Sequence, residues 1–414
     1  MNKTYEVKNE DEKVILVGVR LYDYDDTAES IDELEELVST AGAMTVGKLI
    51  QNRESFHPST YLGKGKIDEL KELIAETEAT GIVCDDELSP AQLKNLENAL
   101  DIKVMDRTLV ILEIFASRAS TKEGKIQVEL AQLNYRSSRL VGLRSSLSRL
   151  GGGIGTKGPG EKKLEMDRRL IKDRIAQLKK ELKDVKQHRE VARQQRSKNN
   201  IPVVSIVGYT NAGKSTLLNT LTGAGVLEED KLFATLDPTT RNFSLASGQE
   251  ILLTDTVGFI RKLPHHLIDA FKSTLEESKY ADIILHVVDA SNSQMEKQMY
   301  TVYETLKELE VSDKTIITLF NKQDKITEPL ILRDFKADKT LDISAKTGKG
   351  LDQLLNLIEE ILRDQKIYIE KVFPYDEAGK IQLIRKNGQL LKEEYVADGI
   401  YIEAYVPKEI YGKM

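Results

Sequence analysis

Nothing in this chain restricts its fold more than Gly208-Tyr-Thr-Asn-Ala-Gly-Lys-Ser215. The segment follows a β-branched run, Ile201-Pro-Val-Val-Ser-Ile-Val207, and precedes a helical pattern, Thr216-Leu-Leu-Asn-Thr-Leu221. Strand, glycine-rich loop and helix in that order is the context in which Gly-x4-Gly-Lys-Ser has physical meaning. Backbone N–H groups of the loop and the N-terminus of the helix then face one point, where a polyphosphate can sit. The binding residues expected here are Gly208, Tyr209, Thr210, Asn211, Ala212, Gly213, Lys214 and Ser215. Lys214 would reach the β- and γ-phosphates as the catalytic cation, and the Ser215 hydroxyl would be a ligand of Mg²⁺.

Three further segments follow in an order that suits one site. Asn321, Lys322, Gln323 and Asp324 end the apolar run Thr315-Ile-Ile-Thr-Leu-Phe320. Loops at the carboxyl ends of parallel strands meet ligands. A carboxylate at Asp324 can accept from guanine N1–H and the 2-amino group, donors that adenine does not offer there. Ser344, Ala345 and Lys346 follow the short strand Thr340-Leu-Asp-Ile343 and fit a loop closing over the same base. GTP, and GDP after it, is therefore the expected ligand. Asp255, Thr256, Val257 and Gly258 end the strand Glu250-Ile-Leu-Leu-Thr254; Asp255 would hold Mg²⁺ through its water shell, and Gly258 lets a backbone N–H approach the γ-phosphate. Upstream lie Phe233, Ala234, Thr235, Leu236 and Asp237, and the switch threonine completing the Mg²⁺ shell is one of Thr235, Thr239 and Thr240. The position after Asp-x-x-Gly commonly carries a glutamine that orients water; here it is Phe259, so unaided hydrolysis should be slow.

Taken together, the segments Gly208–Thr216, Phe233–Arg241, Asp255–Leu267, Ala270–Glu277 and Gly151-Gly-Gly-Ile-Gly-Thr-Lys-Gly-Pro-Gly-Glu161 resemble the HflX family of ribosome-associated GTPases. The likeness covers nearly the whole chain and weakens over the last fifty or so residues. It favours Thr235 as the second protein ligand of Mg²⁺ beside Ser215. The resemblance implies GTP-dependent binding to the large (50S) ribosomal subunit and its rRNA, hydrolysis stimulated there, and a role in splitting stalled or idle ribosomes. Phe259 is no departure, since the family lacks the glutamine. In several GTPases with Asn at the position of Asn211, its side chain helps bind a K⁺ ion across the phosphates. A loop-stabilising role for Asn211 is the alternative, and the two stay open. So do two other functions, a GTP-binding ribosome-assembly factor and an RNA-acting GTPase.

Charge is unevenly spread. The chain carries a net −7, yet Thr121–Lys198 holds 21 Lys/Arg against 9 Asp/Glu, a local +12 that leaves −19 elsewhere. Within it, Leu130–Gly160 has Arg136, Arg139, Arg144, Arg149 and Lys157 with no acid, which reads as a stripe for polyanion contact. Cys84 is the single cysteine, excludes a disulfide within the chain and reads as a small core residue. No run of 18 apolar residues and no apolar leader occurs, so a cytoplasmic protein without a membrane span is expected, a membrane-associated fraction being left open; a monomer is expected as well.

The expected architecture is multidomain α/β: a P-loop GTPase domain with a mostly parallel sheet and flanking helices, preceded by a small α/β domain and a long helical hairpin, and followed by a small C-terminal α/β module. Boundaries are placed at 1–120, 121–199 (glycine-rich loop 151–160), 200–365 and 366–414. In the first region, Val14–Arg20, Gly81–Cys84 and Ile102–Met105 read as strands, and Ile31–Val38 and Ile67–Ile74 as amphipathic helices. His57–Lys66 lacks the spacing of a second phosphate loop and reads as a loop touching RNA or a plain helix entry. The hairpin is expected as two long helices, 109–150 and 162–197. His286 reads as a packed core residue, and His265 and His266 as a helix entry. In the last region, Lys380–Arg385 and Gly399–Val406 read as strands, with turns at Asn387-Gly388 and Asp398-Gly399.

Overall fold

The computed structural model describes residues 12–21, 26–147, 159–197, 201–223, 232–233, 239–262, 278–311, 313–327, 332–364 and 366–412. The chain divides into two compact units, one of Met1–Val185 with Glu229–Asp237 and Ile260–Ser273, the other of Lys186–Glu228, Pro238–Phe259 and Thr274–Met414.

The first unit begins with a parallel sheet. Its elements are β1 (Lys13–Arg20), α1 (Thr27–Ala41), β2 (Met44–Asn52), α2 (Lys64–Thr77), β3 (Gly81–Cys84), α3 (Pro90–Leu100) and β4 (Lys103–Asp106). The strand order is β2-β1-β3-β4, all pairs parallel. Strand β2 is not among the strands foreseen: its burial pattern mixes exposed and half-buried positions, as an edge strand's does, and no long apolar run marks it. Ile15, Val17, Leu49, Leu70, Ile82, Cys84 and Leu96 share one core, so Cys84 is a packing residue.

The expected helix over 109–150 is two helices, α4 (Arg107–Arg118) and α5 (Lys122–Leu147). Ala119 is extended, and the Thr121 hydroxyl accepts from Gly124 N–H at 3.0 Å, capping a new helix. Apolar periodicity runs through the break because both helices bury a face, which hides it from a pattern search. Helix α6 (Pro159–Ser197) lies against α5, with Arg174 forked onto Glu129 at 2.7 and 2.9 Å.

The basic stripe also needs correction. Arg139 is not free for a polyanion: its guanidinium meets Asp106 at 2.7 Å and stacks on the Tyr135 ring. The acid lies 33 residues away in sequence, so a local charge count could not see it. Arg136 is exposed. Arg149, Lys157 and the side chain of Arg144 lie outside the described residues.

At the carboxyl edge of this sheet sits a buried ion cluster. Asp85 accepts from Ser30 at 2.8 Å and from Arg107 at 2.7 Å, and Arg107 also meets Glu33 at 2.7 Å. Two cations that follow Phe259 in sequence join it: Lys262 bonds Asp85 and Asp86, and Arg261 meets Asp26 at 2.9 Å. Phe233 belongs to this unit as well, its ring edge-on to Phe115 at 4.6 Å.

The second unit holds a six-stranded sheet, order β10-β9-β8-β5-β7-β6. It is built from β5 (Val203–Gly208), α7 (Lys214–Thr222), β6 (Thr239–Ser244), β7 (Glu250–Asp255), β8 (Ile283–Asp289), α8 (Met295–Glu308), β9 (Thr315–Asn321), β10 (Lys339–Asp342) and α9 (Leu351–Asp364). Only β6 runs antiparallel. The central strands are mainly apolar, as strands covered on both faces are, with Ser205, Thr254, His286 and Thr318 as buried polar exceptions. Val204, Ile206, Leu253, Leu285 and Leu319 form the core with Leu217, Leu354 and Ile358 of the helices. His286 is buried in β8 with its ring edge-on to Tyr303, and burial pushes its pKa down to about 4, Asp334 opposing. It is a packed neutral histidine.

The chain ends in β11 (Lys366–Phe373), α10 (Ala378–Asn387), β12 (Gln389–Val396), β13 (Gly399–Pro407) and α11 (Lys408–Tyr411), with an antiparallel sheet ordered β11-β13-β12. Lys380–Arg385, expected as a strand, is helical. Ile381 and Ile384 are the buried pair, at helical spacing, while Leu383 is exposed. The apparent alternation arose because three aliphatic residues in six satisfy both periods. Asn387-Gly388 accordingly joins a helix to a strand, while Asp398-Gly399 does close the β12–β13 hairpin. Among the described residues no helix is long and apolar enough to cross a membrane.

Candidate nucleotide site

Strands β5, β7, β8 and β9 end at one edge of the parallel sheet, and each delivers a polar loop there. After β5, Asn211 takes φ 59° and Gly213 φ 96°. A Cβ at Gly213 would collide with the Asn321 amide, so both conformation and space demand glycine. Asn211 sits in the left-handed region that asparagine tolerates, which by itself accounts for the residue type. Lys214 opens α7, is buried, and donates to Tyr209 O at 2.7 Å. Burial lowers its pKa to about 8; Asp255 pulls it back up and Lys322 adds to the fall.

Two hard oxygen donors converge behind the loop: Ser215 Oγ donates to Asp255 Oδ2 at 2.8 Å. A hydroxyl and a carboxylate at this spacing suit Mg²⁺, which prefers oxygen ligands and keeps much of its water. The chain just after Asp255 is fastened to the phosphate loop. Thr256 Oγ1 donates to Ile206 O at 2.8 Å, Thr210 N–H to Phe259 O at 2.8 Å, and Phe259 N–H to Gly208 O at 3.1 Å. A Cβ at Gly258 would lie 2.8 Å from Thr210 Cα and 2.9 Å from Lys214 Nζ, so the backbone here passes close to the cation. Phe259 is itself buried, and its side chain offers no hydrogen-bonding group for a water.

On the other side, Asn321 ties two loops together. Its Nδ2 donates to Ala212 O and its Oδ1 accepts from Ala345 N–H, both at 2.8 Å. Lys322, with φ 63°, pairs with Asp289 at 2.8 Å. Asp324 stays exposed, and Ser344 Oγ donates to it at 2.6 Å, holding its carboxyl below the ordinary range. Thr220 Oγ1 donates to Ala345 O at 2.8 Å, fixing the last loop from the helix side.

The structure thus brings Gly208–Ser215, Asp255–Gly258, Asn321–Asp324 and Ser344–Lys346 to one edge. Phe233 belongs to the first unit, where its ring packs against Phe115. Thr239 and Thr240 lie in β6, and Thr240 Oγ1 shares a 3.0 Å hydrogen bond with Thr254. Ala234, Thr235, Leu236, Asp237, His265 and His266 lie outside the described residues. Sequence reasoning missed one residue of the site, Thr220, and two structural roles, those of Asn321 and of the Phe259 backbone. Asn321 acts as a tie between loops, which its motif concealed, Thr220 has no sequence signal at all, and the Phe259 backbone clip follows from topology alone.

Comparison with known proteins gives the family. Residues 28–116 match a family model described as GTP-binding GTPase N-terminal, 118–196 one described as GTP-binding GTPase middle region, and 203–322 one described as 50S ribosome-binding GTPase. A curated GTPase HflX from Lacrimispora saccharolytica is 71% identical over 100% of this chain and 98% of its own length. Another, from Caldanaerobacter subterraneus subsp. tengcongensis, is 48% identical over 98% and 93%. A solved structure, that of SsGBP in complex with GDP, covers 84% of this chain and 98% of its own at 28% identity and a TM-score of 0.48. With phosphate loop, base loop and closing loop assembled on one sheet edge and identity of this extent over the full length, the chain belongs to the HflX family of GTPases.

Proposed function

We propose that this protein is a GTP-driven switch that binds the large ribosomal subunit through its rRNA, acts as a cytoplasmic monomer, and dissociates stalled or idle ribosomes, with hydrolysis stimulated by the ribosome. The observation that carries the nucleotide reading is the double tie of Asn321, which sets Asp324 and the phosphate loop on one frame. In this reading Asp324, oriented by Ser344, accepts from guanine N1–H and the 2-amino group. Lys214 leaves Tyr209 O for the β- and γ-phosphates, and Gly258 N–H meets the γ-phosphate. Ser215 and Thr235 would ligate Mg²⁺ and Asp255 would hold its water shell; when bound, the ion would supply positive charge to the phosphates. The ribosome reading rests on the match of residues 203–322 to a model described as 50S ribosome-binding GTPase.

Phe259 cannot orient a nucleophilic water, so the chain alone should turn over slowly and need a group from its partner. The test is GTP turnover with and without purified large subunits, in potassium and then in sodium buffer. Strong stimulation by subunits supports the switch, and its loss in sodium assigns K⁺ binding to Asn211. No stimulation by mature subunits, with binding to immature ones, would replace this reading by that of an assembly factor.

A further inference from the structure

The C-terminal sheet has one covered face and one open face. On β13, Ile400, Ile402, Ala404 and Val406 point to the helix side, where they pack with Ile381, Ile384, Ile369 and Phe373. The alternate residues Tyr401, Glu403 and Tyr405 therefore stand on the opposite face, since successive side chains of a strand point to opposite sides. Register completes that face: Tyr368 opposes Tyr405, Glu370 opposes Glu403, and Val372 opposes Tyr401. From β12, Lys392 opposes Glu403 and Glu394 opposes Tyr401. Tyr368 is 46% exposed and Val372 39%, while Tyr401, Glu403 and Tyr405 are half-buried, so this side opens to solvent along β11.

Two features of this face run against stability. Apolar and aromatic surface is left in solvent, and Glu370 faces Glu403 directly across the strands, an arrangement of like charges that costs stability. A single phenolic proton, that of Tyr401, is shared between them at 2.8 and 2.6 Å. Local rules broken without compensation inside a fold are expected where a partner supplies the compensation. The missing component is positive charge that tolerates aromatic surface. The protein already provides it at the edges of the face: the Arg363 guanidinium lies 5.8 Å from the Tyr405 ring centre and the Lys392 ammonium 5.4 Å from that of Tyr401. Lys392 is ion-paired with Glu394 at 3.0 Å, so at the centre of the face the Glu370–Glu403 pair stands without a cation and would repel a phosphate group.

We propose that this face docks an arginine- or lysine-rich protein segment. One cationic side chain seats between Glu370 and Glu403, and its alkyl stem lies along the Tyr368–Tyr405 pair, whose rings are 5.3 Å apart. Guanidinium suits the site better than ammonium, because its planar fork can meet two carboxylates and still stack on a ring. This inference stands apart from ribosome binding, because it requires only a basic polypeptide.

The experiment uses the full chain and two probes in low salt: a short fluorescein-labelled peptide of alternating arginine and glycine, and a labelled oligouridylate of equal length. Anisotropy is read for the natural protein, for E370Q/E403Q, for Y368A, and for E72Q/E76Q, which removes the same charge from exposed positions of α2. The expected result is peptide affinity reduced about tenfold or more in E370Q/E403Q and measurably in Y368A, with E72Q/E76Q close to the natural protein. GTP binding reports that each variant is folded. Equal losses in the two double variants would reduce the effect to bulk charge and overturn the proposal. So would peptide binding that none of the variants alters, or oligouridylate binding that the face variants weaken in place of peptide binding.

Discussion

In the proposed function, two single side chains, Asp324 and Lys214, set selectivity and proton balance. Ser344 holds the Asp324 carboxyl below its ordinary range, so it is ionised throughout the physiological span and acts purely as an acceptor. Asp324→Asn replaces one acceptor by a donor facing guanine N1–H. GTP affinity should fall by about 1.5–3 kcal/mol, roughly ten- to 150-fold, while xanthosine triphosphate, which presents an oxygen in place of the 2-amino group, gains; competition calorimetry reads both. Lys214 has its pKa lowered to about 8 by burial. A bound triphosphate raises it again, so binding takes up a proton above that value, and affinity declines as pH rises from about 8 towards 9. Titrations in two buffers of different ionisation enthalpy measure the uptake. Absence of uptake at the upper end, or its persistence in Lys214→Arg, would refute the assignment. That the motif loops share one sheet edge was readable, because each follows a recognisable strand of a parallel sheet. The ties at Asn321 and Thr220 were not, because they answer to neighbouring loops whose positions only the fold defines.

Elements were legible where one physical signal dominated. The central strands of the second unit announce themselves as apolar runs, and α1 and α2 as clean amphipathic repeats. Ambiguity entered where two periods fit, as in α10, or where tertiary pairing overruled a local count, as for Arg139. The buried cluster at the edge of the first sheet is of the second kind, since Asp85, Arg107 and Ser30 come from separate elements. Burial alone would raise the Asp85 carboxyl, but Arg107 and then Lys262 outweigh it and hold the group below the ordinary range. Stability from this carboxylate is thus fully present above the unfolded value near ~3.9 and is lost as pH falls through the lower folded value. Asp85→Asn leaves Arg107 buried beside a neutral group and should cost about 3–5 kcal/mol at neutral pH. Hydrogen exchange of the Gly81–Cys84 amides tests both statements. The variant should exchange faster at neutral pH, and its deficit should shrink on acidification; a constant deficit would contradict the linkage.

For the whole molecule, the contrast between a net charge of −7 and a basic middle region sets the terms of any encounter with RNA. With Arg139 committed to Asp106, fewer cations of that region are available than its sequence suggests. Binding to large subunits should still weaken as salt rises, because displaced counterions dominate such contacts. Arg136→Ala should lower the slope of log affinity against log salt by about one, whereas Arg139→Ala should act through loss of stability and leave the slope unchanged. Sedimentation with subunits over a salt series separates the two. Equal slopes for all three proteins would remove Arg136 from the contact.

The Asn321 tie also has a consequence in time. Its partner Ala212 is made 109 residues earlier, and Ala345 is made later still. At a synthesis rate of about 5–20 residues per second, the phosphate loop waits on the order of 5–20 s for the residues that brace it. A nascent chain of this protein therefore carries a recognisable phosphate loop long before it has a braced one, and on the proposed reading it should respond to GTP only once the chain through Ala345 has been made.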